Sequence, residues 1–125
     1  EFKGGRPSAL RVDEGSAAQE AQAGLDGSTV VGAFQNISAV ELLKPDVILE
    51  GDVVVCADDA QTKERVMRLA EEIPALRAVD GGPLENAFYV EGLTALLLNL
   101  NRIYRGSHSM VKITGLRRRD EAQSS

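Results

Sequence analysis

Few side chains in this sequence could do acid-base or nucleophilic chemistry. The adjacent carboxylates Asp58 and Asp59 follow an apolar run, and Cys56 and His108 are the single cysteine and the single histidine. Paired carboxylates could act as acid and base or bind a metal, but acidic residues just before a helix are more typical of N-terminal caps. Cys56 lies among valines, as a buried, unreactive thiol does. We predict neither a catalytic side chain nor a metal site, since a Cys/His zinc site needs about four ligands.

The motifs that bind nucleotides or activate a serine are missing from the sequence. It contains no G-x-G-x-x-G, no P-loop and no G-x-S-x-G, and His108 lies in the turn-like stretch Gly106-Ser107-His108-Ser109. A dinucleotide pyrophosphate therefore has no glycine-rich loop to bind in the usual way. Serine hydrolase chemistry is also unsupported.

Two junctions between a strand and a helix bring backbone amides together. The first is Gln35–Ala39, and the second is Asp80–Asn86, which contains the glycine turn Gly81-Gly82-Pro83. Open α/β sheets bind ligands at the carboxyl ends of their strands, and a helix N-terminus favours an anion. Any strand-to-helix turn shows this pattern, so a purely structural role fits each junction as well.

The predicted elements alternate between strands and helices. A length of 125 residues with 43% apolar side chains fits one domain. We predict an α/β fold with a mostly parallel sheet and flanking helices. The predicted strands are Thr29–Phe34, Asp52–Ala57, Leu76–Asp80 and Val111–Thr114. The predicted helices run from Ser16 to Ala23, from Ser38 to Lys44, from Asp59 to Ile73 with Val66, Leu69, Ala70 and Ile73 facing inward, and from Leu84 to about Tyr104.

Three segments divide the chain in this interpretation. Residues 1–15 form an extended lead-in, 16–116 form the α/β domain, and 117–125 form a disordered polar tail. The centre of the longest helix, Leu93–Leu98, is apolar nearly all round, so we expect it to be buried in the core or against a second copy of the chain. A homodimer is the expected assembly.

The charge pattern excludes some classes of partner. A net charge of −5 argues against binding to nucleic acid or to an anionic membrane, and no apolar run is long enough to span a bilayer. With no signal sequence visible, a cytoplasmic protein is expected. From Asn101 onward the balance changes to +4, and Arg102, Arg105 and Lys112 could attract phosphates or carboxylates. A solvated basic tail is the alternative.

Taken together, several stretches resemble the C-terminal half of the NADPH-dependent reductases of coenzyme F420, a deazaflavin with a phosphate and a glutamate tail. The resemblance covers roughly Ser16 to Leu116, and its most specific parts are D-x-G-P-L-x-N and the long leucine-rich helix. The stretches that carry it are Phe34–Ala39, Val54–Asp59, Lys63–Met67, Leu76–Asn86, Val90–Asn101 and Lys112–Leu116.

The resemblance implies an oxidoreductase that transfers a hydride between NADP(H) and coenzyme F420. In such enzymes the NADP lies on an N-terminal Rossmann-type domain, which would be the missing partner of this chain. An NADPH-dependent flavin or ferric reductase-like domain is one alternative, and a non-catalytic dimerisation module of the same fold is another. Hydride transfer between stacked rings depends on positioning and on exclusion of water, which agrees with the lack of a predicted catalytic residue.

The resemblance also implies which residues bind the cofactors. Those at the first junction, Asn36, Ile37, Ser38 and Ala39, would flank the nicotinamide and deazaflavin rings. Three residues of the glycine turn would line the ring pocket, and two near the last strand would contact the deazaflavin: Gly82, Pro83 and Leu84, with Ser109 and Met110. The sequence departs from the family at Gln35-Asn36, where some members have His-Thr, at Ser38, where many have Pro, and at Gly81, which replaces Ala.

Overall fold

A parallel pair of strands forms the centre of the structure, a computed structural model that describes residues 2–117. Strand β3 is Gly51–Val55 and strand β4 is Leu76–Asp80, paired in register from Gly51 opposite Leu76 to Val55 opposite Asp80. Helix α3, Ala60–Glu71, connects them as a crossover. The predicted α/β class with parallel pairing is confirmed.

Helix α3 begins and packs as its sequence predicts, with one exception. The Asp59 carboxylate accepts a hydrogen bond from the Thr62 amide at 2.8 Å and so caps the helix. Met67 and Ala70 are buried against the sheet. Leu69, predicted to face inward, is 60% exposed, because the buried stripe of the helix runs through Met67 and Ala70 and Leu69 lies beside it.

The N-terminal third contains short elements that pack on the longest helix. Strands β1, Phe2–Lys3, and β2, Arg6–Pro7, form a small antiparallel hairpin where the sequence predicted an extended lead-in. Helix α1, Ala17–Gly24, begins as predicted after Ser16, whose hydroxyl accepts a bond from the Gln19 amide at 3.1 Å.

Two predicted strands are not formed. The run Thr29–Phe34 makes a single antiparallel bridge, in which Gly32 and Cys56 exchange amide bonds at 2.8 and 2.9 Å. In Val111–Thr114 the Val111 carbonyl accepts from the Asp52 amide at 2.7 Å, but the Ile113 amide donates to the Asp52 side chain at 2.6 Å. High β-propensity is not sufficient, because a strand needs a continuous backbone ladder beside it.

Asp52 binds the segment Val111–Thr114 to the sheet. Its side chain is 1% exposed and accepts bonds from Arg77 Nε at 2.8 Å and Arg77 Nη2 at 2.6 Å. Arg77 Nη2 also donates to the Ile113 carbonyl at 2.6 Å. Burial raises the pKa of Asp52, but the bonds from Arg77 and the Ile113 amide outweigh burial and hold that pKa below its ordinary value.

Helix α4, Ala87–Ile103, follows a 3-10 turn at Leu84–Asn86. Of its residues only Ala87, Val90 and Leu97 are buried, while Leu96, Leu98 and Ile103 are 53%, 45% and 70% exposed. Within one chain the helix centre is therefore only partly buried, because α1 and the β1–β2 hairpin cover only part of its surface, and its burial against a second copy stays a prediction. No helix in residues 2–117 is long and apolar enough to cross a membrane.

The predicted polar tail lies almost wholly outside the described residues. Only Arg117, its first residue, is described, and it is exposed. At the other end, Glu1 is likewise outside the described range.

Candidate functional site

The first junction is a tight turn built on a strained residue. Phe34 has a positive φ of 64°, which side chains other than glycine rarely adopt. The turn is closed by a bond from the Ile37 amide to the Phe34 carbonyl at 3.1 Å. Helix α2, Ala39–Leu42, follows at once, with the Ser38 hydroxyl accepting from the Glu41 amide at 3.3 Å. The turn and this cap direct residues 35–39 toward helix α4.

A cavity of about 250 Å³ lies between this turn, helix α4 and the loop that follows the helix. It brings together several of the predicted site residues: Asn36, Ile37, Ser38, Ala39 and Ser109. The remaining lining residues were not predicted from the sequence, and they are Gln35, Thr94, Leu97, Leu98, Asn101 and His108. The spacing of Thr94, Leu97, Leu98 and Asn101 at i, i+3, i+4 and i+7, which puts them on one face of the helix, could have indicated the second wall.

Thr94 connects the two walls of the cavity. Its Oγ1 lies 2.8 Å from Asn36 Oδ1, 3.1 Å from the Gln35 carbonyl and 3.0 Å from the Val90 carbonyl. A hydroxyl carries one hydrogen, so it donates to one of these three acceptors at a time. The first junction is thus fixed to α4 through a shared donor.

Two buried side-chain amide atoms of the first junction have no partner among the described residues. They are Asn36 Nδ2 and Gln35 Oε1, and Asn36 as a whole is 7% exposed. An unpaired buried donor or acceptor costs about 1–3 kcal/mol, so such groups in a folded protein call for an explanation. The two atoms belong to residues that line the cavity, and one donor with one acceptor has the chemistry to bind the carbonyl and N–H groups of a flat heterocycle.

His108 lies at the mouth of the cavity and contacts helix α2. Its Nδ1 is 3.5 Å from Ser38 Oγ, and its Nε2 is 3.3 Å from Glu41 Oε1. Lys44 Nζ also binds Glu41 Oε1, at 2.7 Å. The hydrogen bond from Lys44 holds the pKa of Glu41 below its usual value, against a smaller effect of burial, and the charges of Lys44 and His108 add to the lowering. No local pattern indicated this cluster, because His108 lies 70 residues from Ser38 in the chain.

Ser109 and Met110 have different surroundings although they are adjacent. The Ser109 amide donates to Asn101 Oδ1 at 2.8 Å and its hydroxyl donates to the Leu97 carbonyl at 3.2 Å, which fixes the loop to α4. Met110 packs against the hydrophobic core instead, close to Gly51. Ser109 therefore lines the cavity and Met110 does not.

The second junction is closed by its own hydrogen bonds. The Gly82 carbonyl accepts from the Ala57 amide at 3.1 Å and from Lys63 Nζ at 3.2 Å, and the Gly82 amide donates to Asp80 at 2.9 Å. The Asn86 side chain donates to the Gly81 carbonyl at 2.8 Å. Gly82, Pro83 and Leu84 are not among the residues that line the 250 Å³ cavity.

Asp58 and Asp59 act as caps, as predicted, but on different segments. Asp59 caps α3, whereas Asp58 Oδ1 accepts from the Leu84 amide at 3.0 Å and so holds the second junction. Bonds from the Thr62 side chain and amide lower the pKa of Asp59. Cys56 is fully buried, and burial raises the pKa of its thiol. In residues 2–117 no group of three or more acidic, histidine or cysteine side chains could hold a metal.

The basic segment is only partly free to attract an anion. Arg102 and Arg105 are exposed near the end of α4. Lys112 Nζ instead forms an ion pair with Glu50, which compensates its charge. The expected anion site is thereby reduced to the two arginines.

A larger cavity of about 560 Å³ opens between α3 and β4. Most of its charged lining residues are already paired: Arg77 with Asp52, Arg68 with Glu64 at 3.7 Å, and Asp80 with Lys63 at 3.0 Å. It contains none of the predicted site residues. Because its polar groups have partners within the chain, we prefer the smaller cavity with its unpaired amides as the functional site.

Known reductases share substantial sequence identity with this chain. The F420-dependent NADP reductase of Methanocaldococcus jannaschii is 38% identical over 103 residues, which are 82% of this chain and 46% of that protein. The enzyme of the same name from Methanothermobacter thermautotrophicus is 41% identical over 105 residues, 82% of this chain and 45% of that protein. The one from Methanothermobacter marburgensis is 39% identical over 105 residues, covering 82% and 47%. The chain thus spans about half the length of the curated relatives it matches.

A solved structure shares the fold. A crystal structure from Arthrobacter sp. FB24, described as an F420-dependent NADP reductase, superposes with a TM-score of 0.73 at 21% identity. The superposition covers 83% of this chain and 48% of the other. At that identity the likeness shows a common fold. No protein-family model matches the chain.

Proposed function

We propose, because this chain belongs to the F420-dependent NADP reductase family, that it forms the part of such a reductase that holds the ring of the deazaflavin coenzyme F420. The bound ring would exchange a hydride with NADP(H). The C-terminal half of the reductase, with residues 16–116 as its domain, is the interpretation that agrees with a match to about half of each relative.

The observation that carries this proposal is that Gln35 and Asn36, which line the cavity, each have a buried amide atom with no partner among the described residues. A deazaflavin ring presents carbonyl and N–H groups along one edge, which are suitable partners for Asn36 Nδ2 and Gln35 Oε1. Thr94 would hold Asn36 in the orientation required. Ile37, Leu97 and Leu98 would contact the ring faces and keep water away. The residues present therefore fit such a ring.

The size of the cavity supports an incomplete site. Cavities that enclose a drug-sized ligand usually measure about 300–1,000 Å³. A volume of about 250 Å³ accommodates part of a three-ring system, so a further wall would come from outside this chain. Gly82, Pro83, Leu84 and Met110 lie outside the cavity, and we rest the ring site on the residues that line it.

NADP does not fit this chain in the same way. The sequence has no G-x-G-x-x-G to approach a pyrophosphate. We therefore assign the dinucleotide to an N-terminal NADP-binding domain outside this chain, with only its nicotinamide reaching the first junction. A flavin-dependent reductase remains the competing function, since a flavin has a similar ring edge.

We further propose that the whole reductase is a cytoplasmic homodimer, with no nucleic-acid or membrane partner. The exposed side chains Leu96 and Ile103, which lie two turns apart on one face of α4, form the apolar surface that a second copy would cover. Sedimentation of the chain should show a dimer that Leu96→Lys converts to monomer. A monomeric wild-type chain would contradict the dimer and leave the ring site unaffected.

Direct binding tests the ring site. Coenzyme F420 titrated into the chain should bind, by fluorescence, with an affinity that Thr94→Val weakens about five- to tenfold, through loss of the Thr94 bond to Asn36. Thr114→Val, the same change at an exposed position outside the cavity, should have no effect. NADPH should not bind at micromolar concentration. Equal affinity for F420 and flavin mononucleotide would favour the flavin reductase, and tight NADPH binding would contradict the division of cofactors.

A further inference from the structure

We infer that Ser38, His108 and Glu41 form an acyl-transfer site, at which the Ser38 hydroxyl attacks the carbonyl carbon of a small, uncharged ester. The order of the contacts carries this inference. Ser38 Oγ lies 3.5 Å from His108 Nδ1, and His108 Nε2 lies 3.3 Å from Glu41 Oε1. A hydroxyl, an imidazole and a carboxylate in that order are the nucleophile, the base and the orienting group of serine hydrolases, which occur on unrelated folds. The inference does not depend on the proposed function, although both use the same cavity.

The hydrogens of the three groups follow from their partners when the imidazole is neutral. The hydrogen bond from Lys44 holds the pKa of Glu41 below its usual value, so this carboxylate only accepts. His108 Nε2 therefore carries the ring hydrogen and donates to Glu41, which leaves a lone pair on Nδ1. The Ser38 hydroxyl donates to that lone pair, and its oxygen accepts from the Glu41 amide at 3.3 Å. This is the resting arrangement of a serine nucleophile and its general base.

Further contacts hold the three side chains in place. Ser38 is the N-cap of helix α2, and the Glu41 side chain, 12% exposed, is bound by Lys44 Nζ at 2.7 Å. His108 precedes Ser109, whose amide and hydroxyl are both bound to helix α4. The 3.5 Å between Ser38 Oγ and His108 Nδ1 is long for a hydrogen bond, but such contacts are often loose in unliganded sites and shorten when substrate binds.

The cavity determines which esters can reach the serine. Ser38 and His108 both line the cavity of about 250 Å³, where Ile37, Leu97 and Leu98 provide apolar walls. Among the described residues that line it, His108 is the one whose side chain can carry a charge. A short acyl group fits this volume, whereas a long acyl chain exceeds it. We therefore expect short, uncharged esters such as acetyl esters as substrates.

The reaction proceeds through an acyl-serine. As Ser38 Oγ bonds to the carbonyl carbon, its proton passes to His108 Nδ1, and Glu41 balances the charge of the imidazolium. Asn36 Nδ2 is the donor available to the oxyanion, since it is buried, has no partner within residues 2–117 and belongs to a residue that lines the same cavity. The ester C–O bond then breaks and the alcohol leaves with the proton from His108. Water, which gives a proton to the same nitrogen, attacks the acyl-serine, so that the carboxylic acid is released and Ser38 is restored.

Hydrolysis of p-nitrophenyl acetate tests the site. Wild type should release p-nitrophenol at least about tenfold faster than Ser38→Ala or His108→Gln, because each variant lacks one reacting group. Ser38→Asn should be equally slow, and it keeps a side-chain acceptor for the Glu41 amide, which separates the nucleophile from the helix cap. Ser107→Ala, at an exposed serine beside His108 that does not line the cavity, is the matched control and should keep the wild-type rate. Wild-type rates in both Ser38 variants would overturn the inference, because the imidazole would then act without the serine.

Covalent labelling provides a readout that a purely structural serine would not give. Diisopropyl fluorophosphate should react with Ser38: the Oγ–P bond forms, the P–F bond breaks, fluoride leaves, and His108 Nδ1 takes the hydroxyl proton. Mass spectrometry of the intact chain should show a single adduct, and peptide mapping should locate it on Ser38. The adduct should form at least about tenfold more slowly in His108→Gln. Labelling of a different serine, the absence of an adduct, or an equal rate in His108→Gln would overturn the inference.

Discussion

The two junctions share a sequence pattern and differ in how their polar groups are satisfied. Each follows the end of an apolar run and opens a helix or a 3-10 turn. At the second junction the Gly82 amide and carbonyl and the Asn86 amide group bind within the chain. At the first, Asn36 Nδ2 and Gln35 Oε1 are buried and have no partner within residues 2–117. A turn that satisfies itself is a structural element, whereas one with unpaired buried groups beside a cavity is suited to bind a ligand.

The backbone shows the same contrast. Both junctions contain a left-handed residue, Phe34 with φ 64° and Gly82 with φ 85°. Glycine adopts that conformation without strain, but a residue with a side chain loses roughly 1–2 kcal/mol. Phe34 is held there by its packing against the core. Strain at the first junction and its absence at the second agree with a binding role for the first.

The largest expected effect is on stability and concerns Asp52, which lies in neither junction. Asp52→Ala, at the opposite end of β3 from the second junction, should lower the free energy of unfolding by about 3 kcal/mol, because the buried side chain that joins Arg77 to Ile113 is lost. Urea denaturation measures this change. F420 affinity at low temperature should be unchanged. A loss of affinity in folded protein would show that the cavity depends on the contacts of Asp52 with Arg77 and Ile113.

Asp52 also gives a pH dependence with a definite sign. Its pKa is lowered in the folded chain, so its contribution is complete above the ordinary aspartate pKa and is lost as the pH falls through the folded value. Wild-type stability should therefore drop below about pH 4. Asp52→Asn should be less stable at pH 7 and should show a flatter acid limb in the same denaturation experiment.

A matched pair of asparagine substitutions tests the comparison directly. Asn36→Leu should weaken F420 binding at least tenfold and leave stability unchanged or raised, because it removes an unpaired buried amide. Asn86→Leu should lower stability by about 1–2 kcal/mol through loss of its bond to Gly81, and leave F420 affinity unchanged. Fluorescence titration and urea denaturation measure the two effects. If Asn86→Leu weakened F420 binding and Asn36→Leu only lowered stability, the second junction would be the binding site.

A smaller effect concerns Asp58 and the second junction. Asp58→Ala removes the acceptor of the Leu84 amide and should cost about 1 kcal/mol in urea denaturation, with F420 affinity retained. Asp58→Asn keeps an acceptor oxygen and should recover most of this loss. Stabilisation of wild type, but not of the variant, by millimolar Mg²⁺ would instead indicate a metal ligand.

The smallest effect concerns the exposed arginines. The double change of Arg102 and Arg105 to Ala should weaken F420 binding about two- to threefold at low ionic strength, because the phosphate and carboxylates of the coenzyme tail lose two screened contacts. Lys112→Ala is the control and should have less effect, since Lys112 is paired with Glu50. Persistence of the effect in 0.5 M salt would exclude a simple electrostatic contact.

Local patterns determined the elements that depend on neighbours in sequence. The caps at Ser16, Ser38 and Asp59, the strand at Leu76–Asp80 and the long helix were predictable because each rests on hydrogen bonds or side-chain spacing within a few residues. The family resemblance assigned ring-binding residues to both junctions, and no local rule distinguishes the first from the second.

Long-range pairing decided the rest. Thr29–Phe34 and Val111–Thr114 have the composition of strands, but the described chain gives the first a single bridge and the second a contact with Asp52. The cavity likewise depends on Thr94 and His108, which lie 58 and 70 residues from their partners Asn36 and Ser38. The sequence by itself determined which backbone groups and side chains were available for binding. Only the tertiary structure decided which of them were left unpaired, because hydrogen-bond satisfaction is a property of all the groups that meet at one place.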